Sequence, residues 1–339
     1  GGRRMLGTEN QTNYIGKAVE RIEDAALLSG QGRFIDDLPT APGTGHAAIL
    51  RSPHAHADIS AIDTSRAEAL AGVHAVVTGK DAELWSEPFL VGVRQPMQHW
   101  CIATERVRYV GEPVAIVVAE SRYLAEDALA LIEVEYQTLP VVVEVMAAMA
   151  ADAPILHSDV GSNLVNERQF NYGNPETAFA DATHVVRASV RYPRNSCTPM
   201  ECFGLVAEYL AAEQSYDVLA NFQGPYALHP VMARALKVPG SRLRLRTPAD
   251  SGGSFGVKQA IFPYIVAMAL AARKARRPVK WVEDRLEHLV AANSATGRIS
   301  NISAAVAADG VIEALELEQI EDCGAYLRAP EPATIYRMH

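Results

Sequence analysis

The sequence predicts an α+β protein of two regions, on three observations. Short apolar or alternating segments recur between stretches of helical spacing. A proline- and alanine-rich tract, LPVVVEVMAAMAADAPILHSDVG at 139–161, divides them into two groups. The chain has 339 residues, enough for about two domains with cores of their own.

The first elements follow in order. Residues 1–25 read as an extended arm. The stretch AVERIEDAALLSGQGRFIDDL (18–38) predicts a short amphipathic helix ended by Gly30, then a turn into a strand. A compact α+β region occupies 26–140. HAAILRSPHAHADISAID predicts two strands, SRAEALA a helix, VHAVVTG a strand, and EPVAIVVAE a nearly continuous apolar strand. In SRYLAEDALALIEVEY, Tyr123, Leu124, Ala128, Leu131 and Ile132 fall at helical spacing before alternation at 132–136 turns the chain back to a strand. Residues 141–160 are the linker.

The second region, 161–339, changes pattern. Strands are expected at 185–192, 204–210, 216–222 and 242–247, and helices at about 225–237 and 258–276. ISAAVAADGVIEALELEQIED predicts a hairpin whose Asp309-Gly310 suits a two-residue turn. The chain stops at YLRAPEPATIYRMH, an apolar segment without the charge or low complexity of a free tail. The region reads as incomplete.

Composition excludes several classes. Apolar residues make up 49% and charged residues 21%, an ordinary globular balance. A net charge of −9 argues against nucleic-acid binding, and the one basic cluster, RKARRPVK at 273–280, reads as a helix end. No apolar run approaches the ~18 uncharged residues of a membrane span. Arg3-Arg4 precedes MLGTENQTNYIG, which has no apolar signal core, so a cytoplasmic location is expected. Cys101, Cys197, Cys202 and Cys323 are widely spread, and the C-x₄-C pair at 197 and 202 lacks the second pair of a zinc or iron–sulfur set. They read as buried thiols. His54 and His56 share one strand face but have no third ligand nearby, so packing is the better reading.

One loop stands out. PADSGGSFGVKQ (248–259) joins the RLRLRT strand to the FPYIVAMALAARKA helix. Gly252, Gly253 and Gly256 can take positive φ and leave amides unshielded, which serves either a tight turn or an anionic ligand close to the backbone. Neither a Walker loop nor a G-x-G-x-x-G dinucleotide fingerprint fits it.

Several stretches together resemble the large molybdenum-cofactor subunit of the xanthine dehydrogenase/aldehyde oxidase/carbon monoxide dehydrogenase family. IGKAVERIEDAALLSGQGRFIDDL, LRSPHAHADI and RVRYVGEPVAIVVAES resemble its hammerhead domain. GNPETAFADATHVV, TPMECFGLVAEY, NFQGPYALHPVMARAL, DSGGSFGVK and EDCGAYLRAPEP resemble, in order, the first part of its molybdenum-cofactor-binding domain. The similarity runs from about residue 15 to the end.

The resemblance implies a molybdopterin, plain or as its cytosine dinucleotide, carrying molybdenum. It implies that Gly252, Gly253, Ser254, Phe255 and Gly256 approach that cofactor and that Gln223 faces the metal's oxygen ligand. An amide suits that role because it donates a hydrogen bond without adding charge. Phe255 is expected beside the molybdenum, excluding water, with a core aromatic as its alternative; Ser254 stands where relatives commonly have glycine. The dithiolene holds the metal, so no protein metal ligand is expected. The implied reaction is oxidative hydroxylation of an aldehyde, a purine, an N-heterocycle or CO, with electrons leaving to 2Fe-2S clusters and FAD on separate small and medium subunits. Further partners are the C-terminal half, or a second molybdenum subunit, and a small-molecule substrate. The sequence ends before the region that carries the family's general base. Glu201 is a poor substitute, because it matches a structural position at a strand start. A non-catalytic binding or assembly module that keeps the fold without the cofactor is the second reading.

Overall fold

The computed structural model describes residues 15–90 and 97–327, so parts of the N-terminal arm and of the final YLRAPEPATIYRMH segment lie outside the described residues. Helix α1 (Asp24–Leu28) precedes Gly30, which takes a φ of 70°. The turn beyond does not lead straight into a strand. Ile35–Asp37 form a 3₁₀ turn whose Asp37 carboxylate accepts from the Phe34 amide at 3.1 Å.

Strands β1 (Gly45–Arg51) and β2 (Ala57–Asp63), helix α2 (Ser65–Glu68) and strand β3 (Val73–Thr78) fall where the alternation places them. Helix α3 (Gly79–Trp85) was not expected; its start is marked by the Asp81 carboxylate accepting from the Thr78 amide at 2.9 Å. After the short β4 (Arg106–Val107) comes β5 (Pro113–Ala119), buried along its whole length between β1 and β3. Burial on both faces is why its sequence is continuously apolar. Ser121 caps α4 (Arg122–Leu129) by accepting from the Leu124 amide at 3.2 Å, and β6 (Glu133–Thr138) pairs with β2.

Beyond α5 (Val145–Ala148) and α6 (Pro175–Asp181) lie β7 (His184–Tyr192), β8 (Gly204–Leu210), β9 (Ser215–Ala220), α7 (Pro225–Ala235) and β10 (Leu243–Arg246). Helix α8 (Phe262–Ala275) is apolar around most of its circumference, and it lies buried across β3, β8 and β11 (Val279–Val282). The basic run 273–280 does end α8, with Arg276 left-handed at φ 53°, but it also opens β11. That strand pairs parallel with β1 and antiparallel with β8, placing Val279 and Trp281 in the core. It joins the two sequence regions in one seven-stranded sheet of order β10-β9-β8-β11-β1-β5-β3.

After α9 (Arg285–Ala291), β12 (Gly297–Val306) and β13 (Ile312–Asp322) form the expected hairpin and add β7 to make a second sheet. The Ala307 amide donates to Val311 O at 2.9 Å, so the turn spans Ala308, Asp309 and Gly310 rather than two residues. Gly310 takes φ 88°, the left-handed position such a three-residue loop requires. The register sets Val186, Val190 and Tyr192 of β7 on the same face as Leu315 and Leu317 of β13, and all five are exposed. The described part of the segment after β13 packs against the first region. Tyr326 stacks on His99 at 4.1 Å and donates to the Glu112 carboxylate at 2.6 Å, while Leu327 is buried beside Met97.

Candidate functional site

Parallel pairing of β9 with β10 brings two distant stretches together. Both strands end at one edge of the sheet, and the segments that leave them carry Gln223 and the glycine loop. Crevices at the carboxyl ends of parallel strands are common ligand sites. Gln223 follows β9 directly before Gly224, whose φ of 68° turns the chain into α7. The glycine loop leaves β10 and enters a 3₁₀ turn (Val257–Ile261) ahead of α8.

The loop's internal bonds are specific. The Lys258 amide donates to Ser254 Oγ at 3.1 Å. The Ser254 hydroxyl therefore accepts with its oxygen and donates its own hydrogen, and the acceptor is Gln223 Oε1. The Gln223 amide donates in turn to Lys258 O at 3.3 Å. With its carbonyl oxygen engaged, the Gln223 carboxamide keeps both N–H groups of Nε2 for another acceptor. Ser254 thus orients Gln223, a contact that spacing alone does not reveal.

The glycines divide by purpose. A Cβ on Gly252 would lie 2.3 Å from Glu201 Cβ, so that bare position is required by a neighbouring segment of this chain. Gly253 and Gly256 take φ of 93° and 90°; a Cβ at Gly256 would meet nothing within 4 Å. Phe255 between them is also left-handed at φ 51°, and its ring is 79% exposed. Among the described residues, none covers that ring enough to make it part of a core. Among the described residues, no group accepts from the amides of Gly253, Ser254, Phe255 or Gly256. Consecutive unpartnered amides over left-handed backbone form a concavity suited to an anionic or acceptor-rich ligand.

Glu201 is the loop's anchor. Its carboxylate accepts from the Gly252 amide at 3.0 Å and from the Ile35 amide at 3.3 Å, and it pairs with the Lys258 ammonium, which is 1% exposed. The Glu201 amide donates back to Gly252 O at 3.2 Å. One carboxylate thus ties the entry to β8, the glycine loop and the Ile35 turn of the first region. A carboxylate committed to three donors is not a free base, consistent with its structural reading. Lys258 escaped sequence reasoning because a lysine beside glycines suggests a phosphate ligand, and this one points inward. Arg285 adds a second tie, donating from Nη2 to Met200 O at 2.9 Å and to Pro199 O.

The histidine pair of the first region binds nothing in common. His56 Nδ1 bonds Pro140 O at 2.8 Å and the His54 ring meets Tyr136 edge-on at 4.8 Å. Among the described residues no helix is long and apolar enough to cross a membrane.

Comparison with known proteins places these elements. Residues 29–140 match the family model for the aldehyde oxidase and xanthine dehydrogenase a/b hammerhead domain, and residues 156–339 match that for the molybdopterin cofactor-binding domain. The chain is 36% identical over 327 residues to the nicotine 6-hydroxylase large subunit of Paenarthrobacter nicotinovorans, covering 95% of this chain and 40% of that protein. It is 34% identical to the carbon monoxide dehydrogenase large chain of Hydrogenophaga pseudoflava, covering 91% and 40%. The solved structure of quinoline 2-oxidoreductase from Pseudomonas putida 86 superposes with a TM-score of 0.84 at 36% identity, over 94% of this chain and 41% of that one. The chain spans about two fifths of the length of these relatives. With a hammerhead domain followed by a molybdopterin cofactor-binding domain, it belongs to the aldehyde oxidase/xanthine dehydrogenase family of molybdenum-binding large subunits.

Proposed function

We propose that this chain supplies one wall of a molybdopterin site in a molybdenum hydroxylase, and that the glycine loop and Gln223 are its contact surface. The observation that carries the reading is the run of unpartnered amides at Gly253–Gly256 beside a glutamine whose Nε2 donors are free. A phosphate- and pterin-bearing cofactor is rich in acceptors and suits such a cradle. The open space at Gly256 and the exposed Phe255 ring leave room for it. These residues fit the group.

When bound, the cofactor supplies oxidative hydroxylation, in which a substrate carbon gains oxygen derived from water and gives up two electrons. The roles of this chain's residues follow from their geometry. Gln223 donates through Nε2 to an oxygen in the site and stabilises charge there without contributing any of its own. Ser254 holds that amide in the donating orientation. Phe255 covers the site against water, and Gly253 and Gly256 keep the backbone close to the ligand. Glu201 and Lys258 fix the loop from behind.

In the complex that the resemblance implies, 2Fe-2S and FAD subunits would take up the electrons that the bound cofactor would supply. The exposed apolar face of β7 and β13 supports association with further polypeptide, such as that corresponding to the rest of the relatives' large subunits. Similarity to relatives named for nicotine and quinoline supports an N-heterocycle as the substrate class we favour over an aldehyde, a purine or CO. Metal and pterin analysis of the protein purified with its partner chains tests the proposal. About one molybdenum per complex, with a fluorescent pterin released on oxidation, is expected. A folded complex with neither is a binding or assembly module and ends the proposal.

A further inference from the structure

Several strand edges of this fold are guarded against further pairing. At the β10 edge of the large sheet, His229 Nε2 of α7 bonds Leu243 O at 2.7 Å. Strand β6 carries the exposed Glu133 and Glu135 along the edge of the sheet it forms with β2 and β4. Helices α5 and α6 lie against β13, one edge of the second sheet.

The opposite edge of that sheet, β7 (His184–Tyr192), has none of these devices. Its nine residues are all exposed, and it contains neither proline nor lysine. It pairs with β12 along its whole length without a register shift, and among the described residues no strand pairs with its other side. At ~3.4 Å per residue such a strand offers about 30 Å of edge. Its outward N–H and C=O groups form a template for one more strand.

The sequence of β7 limits what that strand can be. About a twofold axis normal to the sheet, antiparallel pairing sets residues of the same face opposite one another. The three longest registers of β7 against itself are centred on Arg187, Ala188 and Ser189. The first sets Arg187 against Arg187 and the third sets Arg187 against Arg191, and like charges directly opposite are destabilising. Only the register centred on Ala188 avoids both, and it is also the one that pairs all nine residues. It sets Val186 against Val190 and His184 against Tyr192 on one face, and Arg187 against Ser189 and Val185 against Arg191 on the other. Arg187 of one copy lies diagonal to Arg187 of the next, a longer-range repulsion that salt screens.

We propose that β7 is a self-pairing edge, through which two copies of this chain join antiparallel about an axis at Ala188 into one six-stranded sheet. The match between β7 and its own reverse favours a second copy, since a strand of another polypeptide requires no such symmetry. The apolar face of the sheet, with Val186, Val190, Leu315 and Leu317, runs on unbroken from one copy to the other and stays open to further polypeptide.

The test is sedimentation equilibrium of the purified full chain at an ionic strength of about 0.15 M. A mass twice the 36.6 kDa of one chain is expected. Ala188→Lys and Ala188→Glu each set like charges against each other at the axis, so either alone should weaken dimerisation at least tenfold with an unchanged far-UV spectrum. An equimolar mixture of the two sets Lys against Glu and should restore the dimer. A monomeric wild-type chain refutes the proposal and leaves the edge to a strand of another polypeptide. So does a dimer that survives both single variants, or a mixture that stays monomeric. Should a charged variant fail to fold, Ala188→Cys decides. Opposite Cα atoms of an antiparallel pair stand about 4.5–5.5 Å apart, within reach of a disulfide, so mild oxidation should link two chains of this variant and not of the wild type. No link, or one that the wild type forms equally, refutes the pairing. These readouts do not depend on molybdenum content.

Discussion

Replacing Glu201 by alanine removes one carboxylate and disturbs three segments. In the wild type that carboxylate neutralises the Lys258 ammonium and satisfies the Gly252 and Ile35 amides. The substitution leaves Lys258 buried without its counter-ion and both amides without their acceptor. Breaking a buried ion pair from one side costs about 3–5 kcal/mol. Each unsatisfied amide adds about 1–3 kcal/mol where water cannot reach it. Glu201 is 14% exposed at its side chain, so some water replaces it and the terms do not add in full. We expect a net loss of about 3–5 kcal/mol. For a chain of this size that lowers the thermal midpoint by about 4–7 °C. Thermal unfolding followed by far-UV circular dichroism measures it. Glu201→Ala/Lys258→Met should recover part of the loss, because the stranded charge is gone while the amides stay unpaired. A single variant within 1 kcal/mol of wild type, or a double variant no better than the single, refutes the anchoring role.

Three further predictions concern the loop and the buried polar network. Gln223→Ala should leave the fold intact and slow turnover of the assembled enzyme by a barrier increase of about 2.7–4 kcal/mol, and Ser254→Ala should show a smaller loss of the same kind. Unchanged turnover of Gln223→Ala at full molybdenum occupancy removes the residue from the site. Gly253→Val forces a β-branched residue to φ 93°, so the loop should shift and cofactor content should fall; a folded variant with normal molybdenum content shows that the loop is only a turn. Burial pushes Glu112 up to about 7 from 4.5, against the opposing hydrogen bond from Tyr326. The folded state keeps a proton that the unfolded state releases between those values. The associated stability is therefore complete below pH 4.5 and lost as pH rises through 7, a swing of about 3 kcal/mol. His99, lowered to about 3 by burial, works in the opposite direction up to pH 6.5, so the informative quantity is the difference between wild type and Glu112→Gln. Denaturant titrations at pH 4.5 and 8 should show that difference changing by that amount. A difference independent of pH excludes the effect.

Much of the architecture was legible from local pattern. Strands such as Pro113–Ala119 and Gly204–Leu210 were expected because burial of one or both faces imposes alternation or a continuous apolar run. The loop at 252–256 was legible because clustered glycines beside a strand end mark backbone that must do something unusual. The residues that hold this loop were not legible. Glu201 and Lys258 are 57 positions apart, and a charged residue in a sequence carries no sign of whether it faces water or a partner. Strand β11 was hidden because a four-residue VKWV after a basic helix end is too short to show a period, and its place was set by two neighbours far away in the chain, β1 and β8. The sequence by itself determined which segments fold and which backbone must stay bare, since propensity and period act over a few neighbouring residues. Only the tertiary structure decided which charges pair, which amides remain open and which donors converge, because those outcomes depend on sheet order, and sheet order is a long-range property of packing.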